Sequence, residues 1–276
     1  MKKTKKTMFA AFLCAAFATQ AVAQMYGSVQ VGYSFPTAVS SPLNSANVAA
    51  NSISTTNTTG VISTTRTAIY NSFGGGLNAG LTVGKMFNEY IGVELGINYL
   101  AMSEQSIFTS ASNTGTSYLK LTGNQLRITP GFIIAIKREK FSPYGRFGVV
   151  LPVINDILWI SDSKSSSGSS VSTSKILINN KFTVGYNTAL GVKFALSDKL
   201  SFFSEASLLS LGTRFQHGKY TELTSNGVSI LEQRSDADRN IEFVESVNNG
   251  STTTVQPAYT ANFNSIGLNA GLNFGF

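Results

Sequence analysis

The chain has 276 residues, of which 42% are hydrophobic, only 13% are charged and 25 are glycine. This length suits one large all-β domain or two small ones. The composition is too apolar for a disordered chain, and beyond the N-terminus there is no run of eighteen apolar residues that would predict a membrane helix.

The first 23 residues have the organisation of a secretory signal peptide. A basic region with four lysines precedes a mostly apolar stretch at 7–19, and Ala21-Val22-Ala23 gives an A-x-A cleavage site before Gln24. Cys14 suggests lipidation, but the bulky residues before it do not suit a lipidation site. We therefore expect export through the Sec pathway, removal of residues 1–23, and a single domain at 24–276.

Loss of this segment changes the charge and the cysteine count. Without its four lysines the formal net charge falls from +7 to +3, and the only cysteine is lost. Disulfides and thiol chemistry are then excluded for the mature chain. No basic cluster with interleaved aromatic residues remains, so nucleic acid is not an expected partner.

Eight segments of the mature chain alternate apolar and polar residues with the period of a β-strand. Their length suits strands that cross a membrane. The last is the strictest, because from Ile266 to Phe276 every second residue is apolar and the others are Gly or Asn. The predicted strands are 25–35, 75–87, 91–101, 119–136, 143–151, 181–196, 200–215 and 266–276.

The fourth predicted strand contains two irregularities. Leu119 and Leu121 have the opposite parity to Leu126, which predicts a bulge near Gly123. Pro130 lacks the N–H that a strand inside a closed sheet would donate, so a local kink is expected there.

The connections between the predicted strands alternate in length. Three short turns are predicted at 88–90, 137–142 and 197–199, and four long polar connections at 36–72, 103–117, 152–179 and 216–261. Short turns at one end and long loops at the other are typical of an outer-membrane barrel, whose closure pairs every backbone group. The Ser-rich stretch 161–174 is predicted to be mobile, because it is too polar to pack. A soluble barrel would need a cover for its outward rows of Leu, Val and Phe.

The chain resembles the small outer-membrane β-barrel proteins of Gram-negative bacteria, the group with the OmpA-like transmembrane domain and the OmpX- and Ail-like surface proteins. Asn269, Gly271, Phe274 and Phe276 match the group's C-terminal assembly signal, and residues 143–152 and 191–208 are similar to its later strands. The resemblance implies an all-β fold, an eight-stranded antiparallel up-and-down transmembrane barrel in the outer membrane. The implied partners are outer-membrane lipid and lipopolysaccharide, the barrel assembly machinery and periplasmic chaperones.

Five charged residues fall on the inward face of the predicted strands. A charge facing lipid at mid-depth costs about 2–4 kcal/mol for Arg or Lys, and the interior of an eight-stranded barrel is filled by side chains, so opposite charges should pair there. Glu205 and Arg146 are the preferred pair. A network that closes the lumen is the favoured interpretation, and a selective or gated small pore is the alternative. The five residues are Glu94, Arg127, Arg146, Lys193 and Glu205.

No catalytic, metal-binding or cofactor-binding residue is predicted. His217 is the only histidine and lacks the nearby Ser of a barrel deacylase. A run of oxygen-bearing residues alternates as in a Ca²⁺ loop, but Ile241 stands where the turn glycine is needed. The run consists of Asp236, Asp238, Asn240 and Glu242.

The preferred function is that of a non-enzymatic surface protein, structural or binding host or cell-surface ligands through its long loops. A small, low-conductance diffusion channel of the porin type is the alternative, and an outer-membrane enzyme is a third hypothesis that the lone histidine disfavours. Trp159, the only tryptophan, is interpreted as an interfacial anchor or as an exposed contact for a partner.

Overall fold

The computed structural model describes residues 24–37, 51–58, 61–68, 72–112, 115–136, 138–168, 170–247, 254–258 and 260–276. The predicted signal peptide lies outside these residues. The described chain is all-β, with one 3-10 turn at Leu231–Gln233. Its strands are β1 (Gln24–Pro36), β2 (Asn51–Thr58), β3 (Val61–Ala68), β4 (Gly76–Met86), β5 (Ile91–Ser112), β6 (Gly115–Ala135), β7 (Phe141–Ser165), β8 (Val171–Asn180), β9 (Gly185–Ala195), β10 (Leu200–Ser210), β11 (Gly212–Ser225), β12 (Val228–Ser229), β13 (Asn240–Val244), β14 (Val255–Pro257), β15 (Thr260–Asn262) and β16 (Ser265–Gly275).

Eight of the described strands close into an antiparallel barrel, which confirms the predicted fold class. The neighbours are, in order, β1, β4, β5, β6, β7, β9, β10 and β16. The barrel closes where β16 pairs with β1, from Tyr26 opposite Gly275 to Pro36 opposite Ser265. The other neighbour of β16 is β10, so the last strand has the two partners that the sequence predicted.

The two ends of the barrel differ. Short connections at 87–90, 136–140 and 196–199 join successive strands at one end, here called the turn end. The strand ends at Gln24 and Gly275 also lie there, because Gln24 pairs with Met86 and the backbone N–H of Gly275 donates to Lys199 at 2.8 Å. The opposite end, here called the loop end, carries the long connections. No described helix has the length and apolar character needed to cross a membrane.

The outward face of the barrel is apolar, as the alternation predicted. Val31, Leu77 and Leu190 are exposed by 66%, 67% and 73%. Exposed aromatic residues flank these aliphatic positions near both ends. At the turn end they include Phe87, Tyr90, Phe141 and Phe274, and towards the loop end Tyr33, Tyr99 and Tyr186.

The described parts of the loop-end connections are mostly β-structure rather than open loops. Strands β5, β6 and β7 extend beyond the barrel, and β7 pairs with β8 from Ile157 opposite Ile178 to Lys164 opposite Val171. The interpretation of 161–174 as an unpaired loop is therefore wrong for its described residues, because 161–164 pair with 171–174, while its mobility stays a prediction. A Ser-rich hairpin can satisfy its backbone hydrogen bonds by pairing, and alternate residues at its base, such as Ile157, Ile176 and Ile178, are buried.

Two predicted strands are shorter in the barrel than the sequence suggested. Strand β9 begins at Gly185, not at 181, and β10 ends at Ser210, not at 215. After Leu211 the chain leaves the barrel as β11, which pairs with β8, β13 and β15. We call β2, β3, β8, β11 to β15 and the outer parts of β5, β6 and β7 the loop-end sheet.

A hydrophobic core, here called the loop-end core, fills the barrel where it meets the loop-end sheet. Leu119 and Leu121 belong to it, because they point inward with the same parity as Gln125. The extra residues lie in β5 instead, between Met102 and Gln105 and again between Ser106 and Phe108, so no bulge in β6 is needed. The core consists of Phe73, Leu100, Met102, Leu119, Leu121, Val150, Ile157, Ile176, Ile178, Leu209, Leu211, Phe215, Ile241, Ala261 and Phe263.

Pro130 is accommodated without a change of register. Its partner on β5 is Leu95, and the ladder to β7 has partners at Ile128 and Gly131 but none at Thr129 or Pro130. The missing N–H of Pro130 therefore falls where the β6–β7 pairing has a gap. The β6–β7 pairs before and after this gap keep the same register.

Candidate functional site: the barrel lumen

The centre of the lumen holds a buried ion-pair triad. Arg146 of β7 lies between Glu94 of β5 and Glu205 of β10, with nitrogen–oxygen distances of 3.2 Å to each carboxylate. All three side chains are nearly inaccessible to solvent. Because isolated charges in such a place are costly, one guanidinium shared by two carboxylates is the arrangement that burial requires.

Two tyrosines complete the triad. Tyr26 donates a short hydrogen bond to Glu94, and Tyr144 donates one of 2.7 Å to Glu205. The Nζ of Lys193 lies 4.5 Å from the centre of the Tyr26 ring and 5.3 Å from that of Tyr144. The lysine charge is thus placed over two aromatic faces, a favourable cation–π geometry, and balances the second carboxylate.

Each tyrosine ring fits because a glycine faces it on the next strand. Tyr26 pairs with Gly84 and Tyr144 with Gly191 in the sheet register. A Cβ atom at Gly191 would lie 2.5 Å from the Tyr144 ring and 2.8 Å from the Cβ of Glu205. Glycine is therefore required there for close packing, not for backbone freedom.

A polar cavity of about 60 Å³ lies beside the triad. One buried water needs about 10–15 Å³ of such volume, so the cavity has room for about four. Gln30 donates to Asn98 across it at 3.0 Å, and Asn269 donates to Glu205 at 3.3 Å. Its lining includes Gln30, Thr82, Asn98, Thr129, Asn187 and Asn269 together with Glu94, Arg146 and Glu205.

The cavity is bounded by packed side chains along the barrel axis. On the turn-end side Ile133, Tyr144 and Phe203 form a second buried cluster, and the Tyr144 and Phe203 rings meet edge to face at 6.4 Å. On the other side lies the loop-end core, in which Leu100 and Leu121 are each 1% exposed. Packed layers thus bound the cavity on both sides along the barrel axis, and the cavity has room for only a few waters beside the fixed charges.

The structure brings together four of the five predicted lumen charges. Glu94, Arg146 and Glu205 form the triad, and Lys193 joins it through the tyrosine rings. Arg127 is separate, with a hydrogen bond to Gln125 and no carboxylate partner. The preferred pair of Glu205 and Arg146 is confirmed at 3.2 Å, whereas Lys193 and Arg127 form no ion pair with the described acidic residues.

Sequence reasoning missed the two tyrosines. One feature of the sequence could have identified them. Each is an inward-facing Tyr near the turn end of its strand, and the neighbouring strand carries an inward-facing Gly. Such Tyr–Gly pairs are known to support aromatic rings in sheets. The register needed to match Tyr26 with Gly84, or Tyr144 with Gly191, is fixed by the short turns and by barrel closure together.

The predicted assembly residues lie in β16 and at its end. Asn269 and Gly271 point into the lumen, where a Cβ at Gly271 would meet the Phe203 ring at 2.7 Å. Phe274 is exposed on the outer face, and Phe276 is 78% exposed while its backbone N–H donates to Met25 at 2.9 Å.

The remaining sequence candidates lie in the loop-end sheet. His217 is exposed on β11, opposite Asn179 and Glu242. Asp238 accepts from Ser235 at 2.7 Å, and the side chain of Asn240 donates to the backbone of Asp236, so these groups stabilise a turn. No cluster of three potential metal-ligating acids, His or Cys occurs among the described residues.

Trp159 is neither an interfacial anchor nor an exposed contact. It is partly buried against the loop-end core, with its ring 6.5 Å from that of Phe215. Both predictions for Trp159 are therefore wrong, because the strand continues beyond the barrel and keeps the inward parity of Ile157.

Comparison with known proteins gives a match of fold only. No family model matches the chain, and no curated protein matches its sequence. Twenty-one solved chains match in structure, among them the crystal structure of Neisserial surface protein A, which is 11% identical with a TM-score of 0.41. That match covers 93% of this chain and 100% of the other. The barrel assignment itself follows from the strand pairing of this chain.

Proposed function

We propose that the chain is a non-enzymatic outer-membrane surface protein of a Gram-negative bacterium, with its turn end in the periplasm. Support comes from the closed barrel and its apolar outer band flanked by aromatic residues, which suit a lipid bilayer. Strands β4 and β16 have 11 residues each, a length that suits tilted membrane strands.

The observation that carries the surface role is the loop-end sheet built on a sealed barrel. Paired strands and the loop-end core hold this sheet in a defined shape, so it can present exposed polar side chains outside the cell. The layers on both sides of the lumen cavity argue against the diffusion channel. The exposed position of the only histidine argues against catalysis by that residue.

Location and orientation can be tested by cysteine labelling in intact cells. The mature chain has no other cysteine, so Ser166→Cys at the tip of the β7–β8 hairpin and Glu89→Cys in the β4–β5 turn report single sites. A membrane-impermeant maleimide should label Ser166→Cys on intact cells and Glu89→Cys only after lysis. The folded protein should also fractionate with outer membranes and change gel mobility on heating. The reverse labelling pattern would contradict the orientation.

To test whether the loop-end sheet binds a ligand, a variant must keep the sheet folded. Deleting 216–261 is unsuitable, because Ile241 and Ala261 belong to the loop-end core and β11 pairs with β8. Replacing the exposed side chains of His217 and Lys219 with Ala leaves the paired backbone in place. Cells with the wild-type protein should adhere to a basement-membrane matrix more strongly than cells with the variant at equal surface levels. Equal adhesion would contradict binding through this face.

A further inference from the structure

Arg127 is a buried cation at the neck between the lumen cavity and the loop-end core. It is 7% exposed and points inward from β6, opposite Asn98 of β5 and Pro152 of β7. Its Nε donates to the side-chain oxygen of Gln125, a neutral partner. A buried charge normally pairs with an opposite charge, since burial otherwise costs several kcal/mol.

This chain does not supply the opposite charge. All fourteen acidic residues lie within the described parts of the chain, and none has a carboxylate within 4 Å of Arg127. Glu94 and Glu205 are held by Arg146 nearer the turn end. Arginine does not lose its proton in proteins, so its charge must be balanced by something else.

Two buried donors at the neck lack hydrogen-bond partners, as does one buried acceptor, the Oδ1 of Asn180, whose Nδ2 donates to the backbone oxygen of Asn155 at 3.0 Å. The Nη2 of Arg127 and the Nδ2 of Asn155 are buried and have no hydrogen-bond partner. Gln125 fixes this arrangement, because its oxygen accepts from Arg127 while its nitrogen donates to the oxygen of Asn155 at 2.9 Å. The Nη2 of Arg127 and the Nδ2 of Asn155 are thereby left over, and two such donors are the pattern expected around an anion.

The barrel wall is incomplete beside this neck. Strand β7 pairs with β9 up to Val150 and with β8 from Ile157 onward, so residues 151–156 have no strand partner on that side among the described residues. The facing residues 181–184 are irregular. Asn155 lies within this interruption, and the side chain of Asn180 donates to its backbone oxygen at 3.0 Å, so side chains rather than strand pairing close the wall beside the neck.

We propose that the neck binds one small monovalent inorganic anion, of the size and charge of chloride or nitrate, between Arg127 and Asn155. A single negative charge neutralises the guanidinium, and the two unused N–H groups supply its hydrogen bonds. This inference does not depend on the proposed surface role, because it concerns only charge and hydrogen bonding inside the barrel.

Bromide identifies the site directly. Crystals of the wild-type protein soaked in sodium bromide should show an anomalous peak within hydrogen-bonding distance of Arg127 Nη2. Bromide at surface positions alone, with none at the neck, would overturn the proposal, and this test requires no variant to fold.

Stability provides the second test. Reversible urea unfolding in lipid vesicles is measured as chloride replaces gluconate at constant ionic strength. Above the dissociation constant, the logarithm of the unfolding constant should fall against the logarithm of chloride concentration with a slope approaching one for one site. Arg127→Met should abolish this dependence. Arg214→Met, which removes an exposed arginine paired with Glu245 at 3.0 Å, should retain it. Equal slopes for Arg127→Met and wild type would overturn the proposal.

Discussion

At the scale of single residues, the lumen is organised by charge balance. Two carboxylates, Glu94 and Glu205, are matched by Arg146 and Lys193, and Tyr26 and Tyr144 supply additional hydrogen bonds. Each carboxylate therefore receives one contact from the guanidinium and one from a phenol. The charges of this network balance, and breaking a buried network of this kind is costly even where its net contribution to stability is small.

Removing the central cation should be severely destabilising. Arg146→Met leaves Glu94 and Glu205 buried without their shared partner, and breaking a buried pair in this way costs about 3–5 kcal/mol. Lys175→Met removes one partner of an exposed pair with Glu222 and should cost about 0–1 kcal/mol. Urea unfolding of both variants in lipid vesicles measures the difference. A cost for Arg146→Met no larger than that for Lys175→Met would contradict a structural role for the triad.

At the scale of strands, the sequence predicts the barrel well and the loop-end sheet poorly. The alternation at 25–35 and 266–276 was sufficient to place β1 and β16 and their pairing, because lipid-facing and lumen-facing positions differ sharply in polarity. The β7–β8 hairpin was missed because its outer part, around Lys164 and Val171, carries Ser on both faces. Pairing there depends on a partner strand, which local composition does not reveal.

The lumen was predictable in parity but not in contacts. Inward positions for Glu94 and Arg146 follow from alternation alone. The separation of Arg127 from the triad depends on the relative heights of β5, β6 and β10, and these heights are set by barrel stagger. The two additional residues in β5, after Met102 and after Ser106, also escape sequence reasoning.

The single tryptophan allows the loop-end core to be tested by fluorescence. Trp159 packs against Phe215 in this core, so its emission should be shifted to shorter wavelength and should not be quenched by brominated lipids. In a Trp159→Phe background, Tyr99→Trp places the probe on the outer face, where Tyr99 is 45% exposed, and should be quenched. Strong quenching of Trp159 by brominated lipid would instead support a position at the membrane interface.

We expect the end of β16 to serve assembly more than stability. Phe276 is 78% exposed and contributes little to the interior, so its deletion should reduce insertion into the outer membrane while stability of the inserted fraction changes little. Phe87→Ala removes another exposed turn-end aromatic residue and should leave insertion unchanged. Immunoblots of outer-membrane fractions compare the two. Unchanged insertion after loss of Phe276 would contradict the assembly signal.

At the scale of the whole molecule, two different layers of side chains fill the barrel. The turn-end half is closed by buried charges and aromatic rings, and the loop-end half by an apolar core that the loop-end sheet completes. The outer surface is apolar around both halves of the barrel. Only the polarity of the interior changes along the barrel axis. Sealing by two independent layers predicts that opening one of them does not create a pore.

The sealed lumen predicts very low conductance. The wild-type protein in planar lipid bilayers should show no stable conductance steps, because a cavity of about 60 Å³ holds only a few waters between packed layers. Leu121→Ser weakens the loop-end core, where Leu121 is 1% exposed, but leaves Phe203 and Tyr144 in place and should remain closed. A general porin recorded in the same bilayers provides the positive control. Stable, large steps from the wild-type protein would contradict the closed lumen and favour the diffusion channel.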